Sequence, residues 1–189
     1  MKKICIFILA LALLLAGCGY RDNHPEWDES WTRFEDLLAA ETPAGWILYE
    51  YNPTLSMGGI WYATWARGEE RMVTNAEGEE AAAYDAQIYL LIKDCGSEDE
   101  AKANLADWID REARSYQAGE PFERSVGGQS YSMLPLNAAS ADNPYSHGAA
   151  AFAVRGKLAI SVEALCVDGF ESEAQSILEQ FLSGIHYGE

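Results

Sequence analysis

"AAFAVRGKLAISVEALC", residues 150–166, is the stretch on which the fold turns. Phe152 and Val154 share one face of its first half, and Leu158, Ile160 and Val162 share one face of its second. Arg155-Gly156-Lys157 interrupts the alternation, so the stretch reads as two antiparallel strands joined by a tight turn. Directly paired residues point to the same side of a sheet. The apolar pattern therefore predicts Val154 opposite Leu158 and Phe152 opposite Ile160, with residues 155–157 as a three-residue loop.

Working outward, Gln129–Leu136 reads as another strand, and the Ala/Ser/Asn/Asp/Pro-rich segment Asn137–His147 as an exposed loop. Downstream, Phe170, Ala174, Ile177, Leu178, Phe181 and Leu182 fall on one face of a helix that stops at Gly184. Upstream, Tyr84, Ala86, Ile88, Leu90 and Ile92 alternate with Asp85, Gln87 and Lys93, the mark of a strand with one apolar face. Ser97 followed by Glu100 forms a capping box. It opens a helix whose buried stripe is Ala101, Leu105, Trp108 and Ile109 and which ends by Gly119. Gly45–Tyr51, Gly59–Arg67 and Arg71–Thr74 carry the aromatic and β-branched residues of strands. Before them, Pro25 suits a first helical turn, and Trp27, Trp31, Phe34 and Leu38 make a stripe that predicts a helix to Ala40. The whole reads as α+β: an antiparallel β-sheet with α-helices packed mainly on one face.

The N-terminus carries the most specific motif. Met1-Lys2-Lys3 precedes an apolar run from Ile4 to Ala16 that is too short for a membrane-spanning helix, which needs roughly 20 apolar residues. Leu15-Ala16-Gly17-Cys18 resembles the lipobox of bacterial lipoproteins at every position. The resemblance implies a diacylglyceryl thioether on Cys18 and cleavage just before it. It divides the chain into a signal peptide (1–17), a short lipidated tether (18–24) and a single domain (25–189). The implied partner is the membrane, held through lipid on Cys18. The implied place is outside the cytoplasm: the outer face of the cell membrane, or the outer membrane of a two-membrane bacterium, where Gly19 departs from the aspartate of inner-membrane retention. The order of elements over residues 25–187 is similar to the PsbP-like fold family. That likeness implies a domain that handles a ligand or partner without catalysis.

The chain carries 30 Asp and Glu against 13 Lys and Arg, a net charge of −17. Such an excess repels phosphate backbones, so nucleic acid is a poor partner. With Cys5 in the signal and Cys18 bearing lipid, Cys95 and Cys166 remain. Each follows a strand and precedes a helix, within a half-hidden repeat ("YLLIKDCGSEDEAKANLADWI" against "ISVEALCVDGFESEAQSILEQFL"). Outside the cytoplasm they are a disulfide candidate if their strands place both thiols on one rim; otherwise they are free thiols.

Catalytic chemistry is thinly represented. No nucleophile elbow, phosphate loop, calcium loop or zinc-ligand spacing occurs, so no cofactor, metal or catalytic residue is expected. Acidic runs such as Glu98–Glu100 read as helix starts and solvated faces. His147, in Ser146-His147-Gly148, is the one histidine placed where a general base could work. It supports the rival expectation of a small envelope hydrolase using His147 with a nearby carboxylate. The aromatic segment Ile60–Arg67 sets Trp61 and Trp65 on one strand face and Tyr62 on the other, with Trp46, Tyr49 and Tyr51 on the strand before. Rings of this kind either pack under helices or form a flat platform, and Trp46, Trp61 and Trp65 are the candidate surface for an envelope protein or a glycan. The expectation drawn from all this is a non-enzymatic, lipid-anchored binding or accessory domain of the cell envelope.

Overall fold

A computed structural model describes residues 30–52, 59–75, 77–139 and 143–188. The signal segment, Cys18 and the tether lie outside these residues. In chain order the elements are β1 (Trp31–Phe34), β2 (Leu38–Glu41), β3 (Trp46–Asn52), β4 (Ile60–Arg67), β5 (Arg71–Thr74), β6 (Glu80–Ala83) and β7 (Ala86–Asp94). There follow α1 (Glu98–Ser115), β8 (Tyr116–Ala118), β9 (Phe122–Val126), β10 (Gln129–Ala139), β11 (His147–Arg155) and β12 (Leu158–Cys166). A short 3-10 turn (Glu171–Glu173), α2 (Ala174–Ser183) and β13 (Ile185–Tyr187) complete the chain.

An eight-stranded antiparallel sheet is the frame. Its strands run in the order β3-β4-β7-β12-β11-β10-β8, with β9 beside β10. β7 shows why it sits centrally: Ala86, Ile88, Leu90 and Ile92 are all buried, while the residues between them are half-buried under the other face. α1 begins where the sequence asks, because the Ser97 hydroxyl accepts the Glu100 backbone N–H and Glu98, Asp99 and Glu100 meet the positive end of the helix dipole. No helix among the described residues is long and apolar enough to cross a membrane.

The 150–166 stretch is a hairpin, with its register one residue away from the predicted one. Val154 pairs with Ala159 and Arg155 with Leu158, leaving a two-residue turn at Gly156-Lys157. Gly156 takes a φ of +56°. A positive φ at the first central position is what a primed two-residue turn requires, and such turns match the twist of the flanking strands better than a three-residue loop with glycine in its middle. The shift moves side chains between faces. Ala149, Ala151, Ile160, Val162 and Cys166 point into the core that holds Leu178 and Phe181 of α2. Phe152 and Ala159 point into the core that holds Ala101 and Trp108 of α1. The architecture is the antiparallel α+β expected, but its two helices are divided between the faces of the sheet. The small Ala149, Ala151 and Ala153 leave room on one side for α2.

Where a helix to Ala40 was expected, β1 and β2 form a hairpin, Trp31 pairing with Glu41 and Phe34 with Leu38. Pro25 and Trp27 lie outside the described residues. The helical stripe and the strands compete for the same apolar residues, and a partner distant in sequence decides. β13 pairs with β2, Ile185 opposite Ala40 and Tyr187 opposite Leu38. Thr32 and Phe34 are buried as alternate residues of β1, a period-two pattern that a helix could not satisfy.

Candidate functional site

The tryptophans singled out by sequence form no binding platform. Trp61 is 3% exposed and Trp65 is 0% exposed, both on the inward face of β4. The Trp65 ring lies 4.7 Å from that of Phe181, and its Nε1 donates to the Thr42 hydroxyl at 3.1 Å. Trp61 Nε1 donates toward Glu35 at 3.4 Å. Trp46 is half-buried beneath the Arg67 guanidinium, 5.4 Å from its ring centre, and Arg67 in turn is bound to Glu173 at 2.8 Å. These rings repay more as core, where their large area leaves water, than as a surface.

The opposite face of the same strands is different. α1 packs mainly on β8, β10, β11 and β12 and reaches Leu91 of β7, and among the described residues no helix packs closely on β4 or β3 across that face. Glu50, Thr64, Tyr89 and Glu163 stand in register across it, one from each of β3, β4, β7 and β12. The rings of Tyr62 and Tyr89 are 6.3 Å apart, and the Tyr62 hydroxyl donates to Glu50 at 2.7 Å. At the rim, β3 is the edge strand. Ile47, Leu48 and Tyr49 are 54%, 41% and 55% exposed. A register shift between Leu48 and Glu50 marks a bulge there, and Tyr49 meets Tyr84 edge-on at 5.6 Å. The sequence did place Tyr62 on the face opposite Trp61 and Trp65. It gave no sign of which face the helix would leave open.

The row ends in a strained acidic pair. Burial first, then the neighbouring Glu112 carboxylate, push the Glu163 carboxyl up to about 8, against smaller opposing effects of Ser161 and Arg111. Ser161 donates to Glu163 at 3.4 Å, and Glu112, 9% exposed, contacts Arg111 at 3.5 Å. The Tyr89 and Tyr116 hydroxyls are both held protonated, mainly by burial and next by Glu163.

The cysteines are not bonded to each other. Cys166 pairs with His147 on β11 and Ala86 on β7, whereas Cys95 follows Asp94, which pairs with Leu158. Eight residue steps of β12 separate those two ends, about 26 Å, against the ~7 Å limit for a disulfide. Both are free thiols, Cys95 half-buried and Cys166 buried. The repeat misled because β7 and β12 are antiparallel neighbours, so equivalent strand ends lie at opposite rims.

His147, at the start of β11, does gain carboxylate neighbours. Its Nε2 lies 3.9 Å from Asp168 Oδ1 and 3.9 Å from Glu171 Oε1. The three donor atoms are within 4.8 Å of one another, a set that could hold a divalent ion. Ser146 donates to Asp168, and backbone N–H groups of Gly169 and Glu171 hold the Glu171 carboxyl below its usual range. The trio is open to water, Asp168 being 85% and Glu171 44% exposed. His147 lies more than twenty residues before Asp168 and Glu171 in sequence and is joined to them by the β11–β12 pairing and the turn after it, so no local motif announces the trio.

No family model matches the chain, and no curated protein matches it. Among solved structures, it is similar to the solution structure of cyanobacterial PsbP (CyanoP) from Synechocystis. The TM-score is 0.49 at 17% sequence identity, covering 92% of this chain and 99% of that one.

Proposed function

We propose that the chain is a lipid-anchored, extracytoplasmic binding or accessory domain of a bacterial cell envelope, without catalysis of its own. The observation that carries the reading is Leu15-Ala16-Gly17-Cys18 following a short apolar run. Thirteen residue steps separate Cys18 from Trp31, the first residue of β1, so the domain works within about 45 Å of the bilayer. The open tyrosine face and its apolar rim supply a surface on which an envelope protein or a glycan can be held.

The rival, a hydrolase based on His147, has one observation in its favour: the histidine, a carboxylate and a hydroxyl do meet. Their order argues for binding instead. A nucleophile must give its proton to the histidine, which the acid then orients. Here the Ser146 hydroxyl donates to Asp168, bypassing His147, and the acid stands in open water.

Growth with an alkyne-bearing palmitate tests the proposal. The wild-type protein takes up the label and sediments with membranes, and Cys18→Ala does neither. An unlabelled wild type, or a variant labelled as strongly as the wild type, overturns the anchoring.

A further inference from the structure

We infer that the rim formed by Ile47, Leu48, Tyr49 and Met72 is a membrane-contact surface, seated edge-on in the head-group layer of the bilayer that holds the lipid of Cys18. The inference deepens the proposed anchoring and rests on it for the presence of that bilayer.

Exposed apolar side chains gather at one end of the sheet. Five large ones are exposed among the described residues: Ile47, Leu48, Tyr49, Met72 and Phe122. The first three follow one another on the edge strand β3. Met72 joins them through β5. Its neighbour Arg71 pairs with Ala83, and Tyr84, the next residue, meets the Tyr49 ring at 5.6 Å. Phe122 lies on β9, at the other end of the sheet. Leu48 pairs with Trp65 on the inward face of β4, and Ile47 pairs with Ala66 on the opposite face. Apolar surface therefore wraps both sides of the strand, which suits an edge entering a soft layer better than a face laid on a flat partner.

The point where the chain enters the domain names the occupant. Ser30, the first described residue, accepts the Thr42 backbone N–H on its carbonyl at 2.8 Å. Five residue steps take Thr42 to Ile47, at most about 18 Å, and the turn closed by the Trp46 N–H on the Pro43 carbonyl shortens that path. The Thr42 hydroxyl also accepts from Nε1 of Trp65, the residue opposite Leu48, at 3.1 Å. The twelve residue steps from Cys18 to Ser30 thus deliver the domain to the lipid with this rim beside the point of entry. Tethering keeps the effective concentration of lipid high, so a few side chains suffice where they would bind weakly from solution. Tyrosine suits the head-group level, and there water still meets backbone groups that hydrocarbon would leave unsatisfied. Charge does not draw the rim down. Arg67 and Arg71 are held by Glu173 and Asp85, each at 2.8 Å, and the exposed Glu69 and Glu70 lie between them in sequence. The contact is apolar and favours zwitterionic over anionic lipid. Seated in this way, the sheet stands up from the membrane and leaves the face of Tyr62 and Tyr89 turned sideways.

The test uses the acylated full chain in phosphatidylcholine vesicles that contain a nitroxide lipid labelled just below the head group. The chain carries Cys95→Ala, so that one added cysteine takes a fluorescent dye. A dye on Ile47→Cys or, independently, on Met72→Cys should be quenched about fivefold more than one on Phe122→Cys. Ile47→Glu should cut the quenching at Met72→Cys about threefold without lowering the melting temperature, since Ile47 is exposed. Anionic lipid should weaken the quenching at low salt. Sedimentation with the vesicles but equal quenching at Met72→Cys and Phe122→Cys overturns this inference and leaves the anchoring standing. Failure to sediment at all overturns the anchoring, and the inference with it. Stronger quenching on anionic vesicles, shielding of the Ile47→Cys dye in native membranes alone, as by a partner protein, or energy transfer between dyes on two copies of the chain overturns it as well.

Discussion

Replacing Glu163 by glutamine should stabilise the domain at alkaline pH and change little in acid. The Glu163 carboxyl, held protonated to about pH 8 in the fold, has an ordinary value of 4.5. Below pH 4.5 it is neutral whether the chain is folded or not, and its full contribution to stability is present. As the pH climbs toward 8, the unfolded chain releases the proton first, and stability falls. Above 8 the folded state must carry a charge that is partly desolvated and faces Glu112, with Ser161 and Arg111 offsetting only part of the cost. At about 1.4 kcal/mol per unit, the displacement corresponds to at most ~5 kcal/mol. Water that reaches this half-buried side chain brings the expected gain nearer ~2 kcal/mol. Glutamine keeps the shape, removes the charge and can donate to Glu112. Urea unfolding of the wild type and Glu163→Gln at pH 4.5, 7 and 9 reads the effect. The variant should match the wild type at pH 4.5 and exceed it by ~2 kcal/mol at pH 9. An equal difference at all three values, or a variant weaker at pH 9, would refute the strained-carboxyl account.

The corrected places of the tryptophans and cysteines give two more tests. Trp65→Ala should cost about 3–5 kcal/mol in urea unfolding, because it empties a fully buried site against Phe181 and strands the Thr42 hydroxyl, whereas Tyr62→Ala on the open face should cost under ~1 kcal/mol. A Trp65→Ala loss below ~1 kcal/mol would mean that the ring is not in the core. Alkylation of the native protein should modify Cys95 and spare Cys166, which is buried and whose thiol is pushed up to about 11, chiefly by burial. Both should react after unfolding. An oxidised monomer carrying a Cys95–Cys166 bridge would contradict the antiparallel pairing of β7 and β12.

Glycine positions show how local rules were met. Gly68 has a φ of +90°, and a Cβ added there would come within 2.3 Å of Asp85 Oδ2, so the turn after β4 needs glycine on two counts. Arg71 then reaches Asp85 at 2.8 Å, tying β5 back to the entrance of β7. The positive φ can be read from sequence because the turn that needs it is local, whereas the approach of Asp85, seventeen residues on, cannot.

Sequence by itself determined what depends on short range. The alternation of Ile88, Leu90 and Ile92, the Ser97–Glu100 cap and the apolar stripe from Ala174 to Leu182 each specify an element through contacts a few residues apart. Only the tertiary structure decided the rest, and always for the same reason: the deciding partner is distant along the chain. β13 turned an apparent helix into strands by pairing with β2. One residue of register at Gly156 sent Phe152 to one face and Ile160 to the other, and so divided the helices. The antiparallel sense of β7 and β12 parted the cysteines. The limited reach of α1 left Tyr62 and Tyr89 half-buried while Trp61 and Trp65 were sealed. Apolar periodicity states that a face will be covered, and the three-dimensional packing states by what.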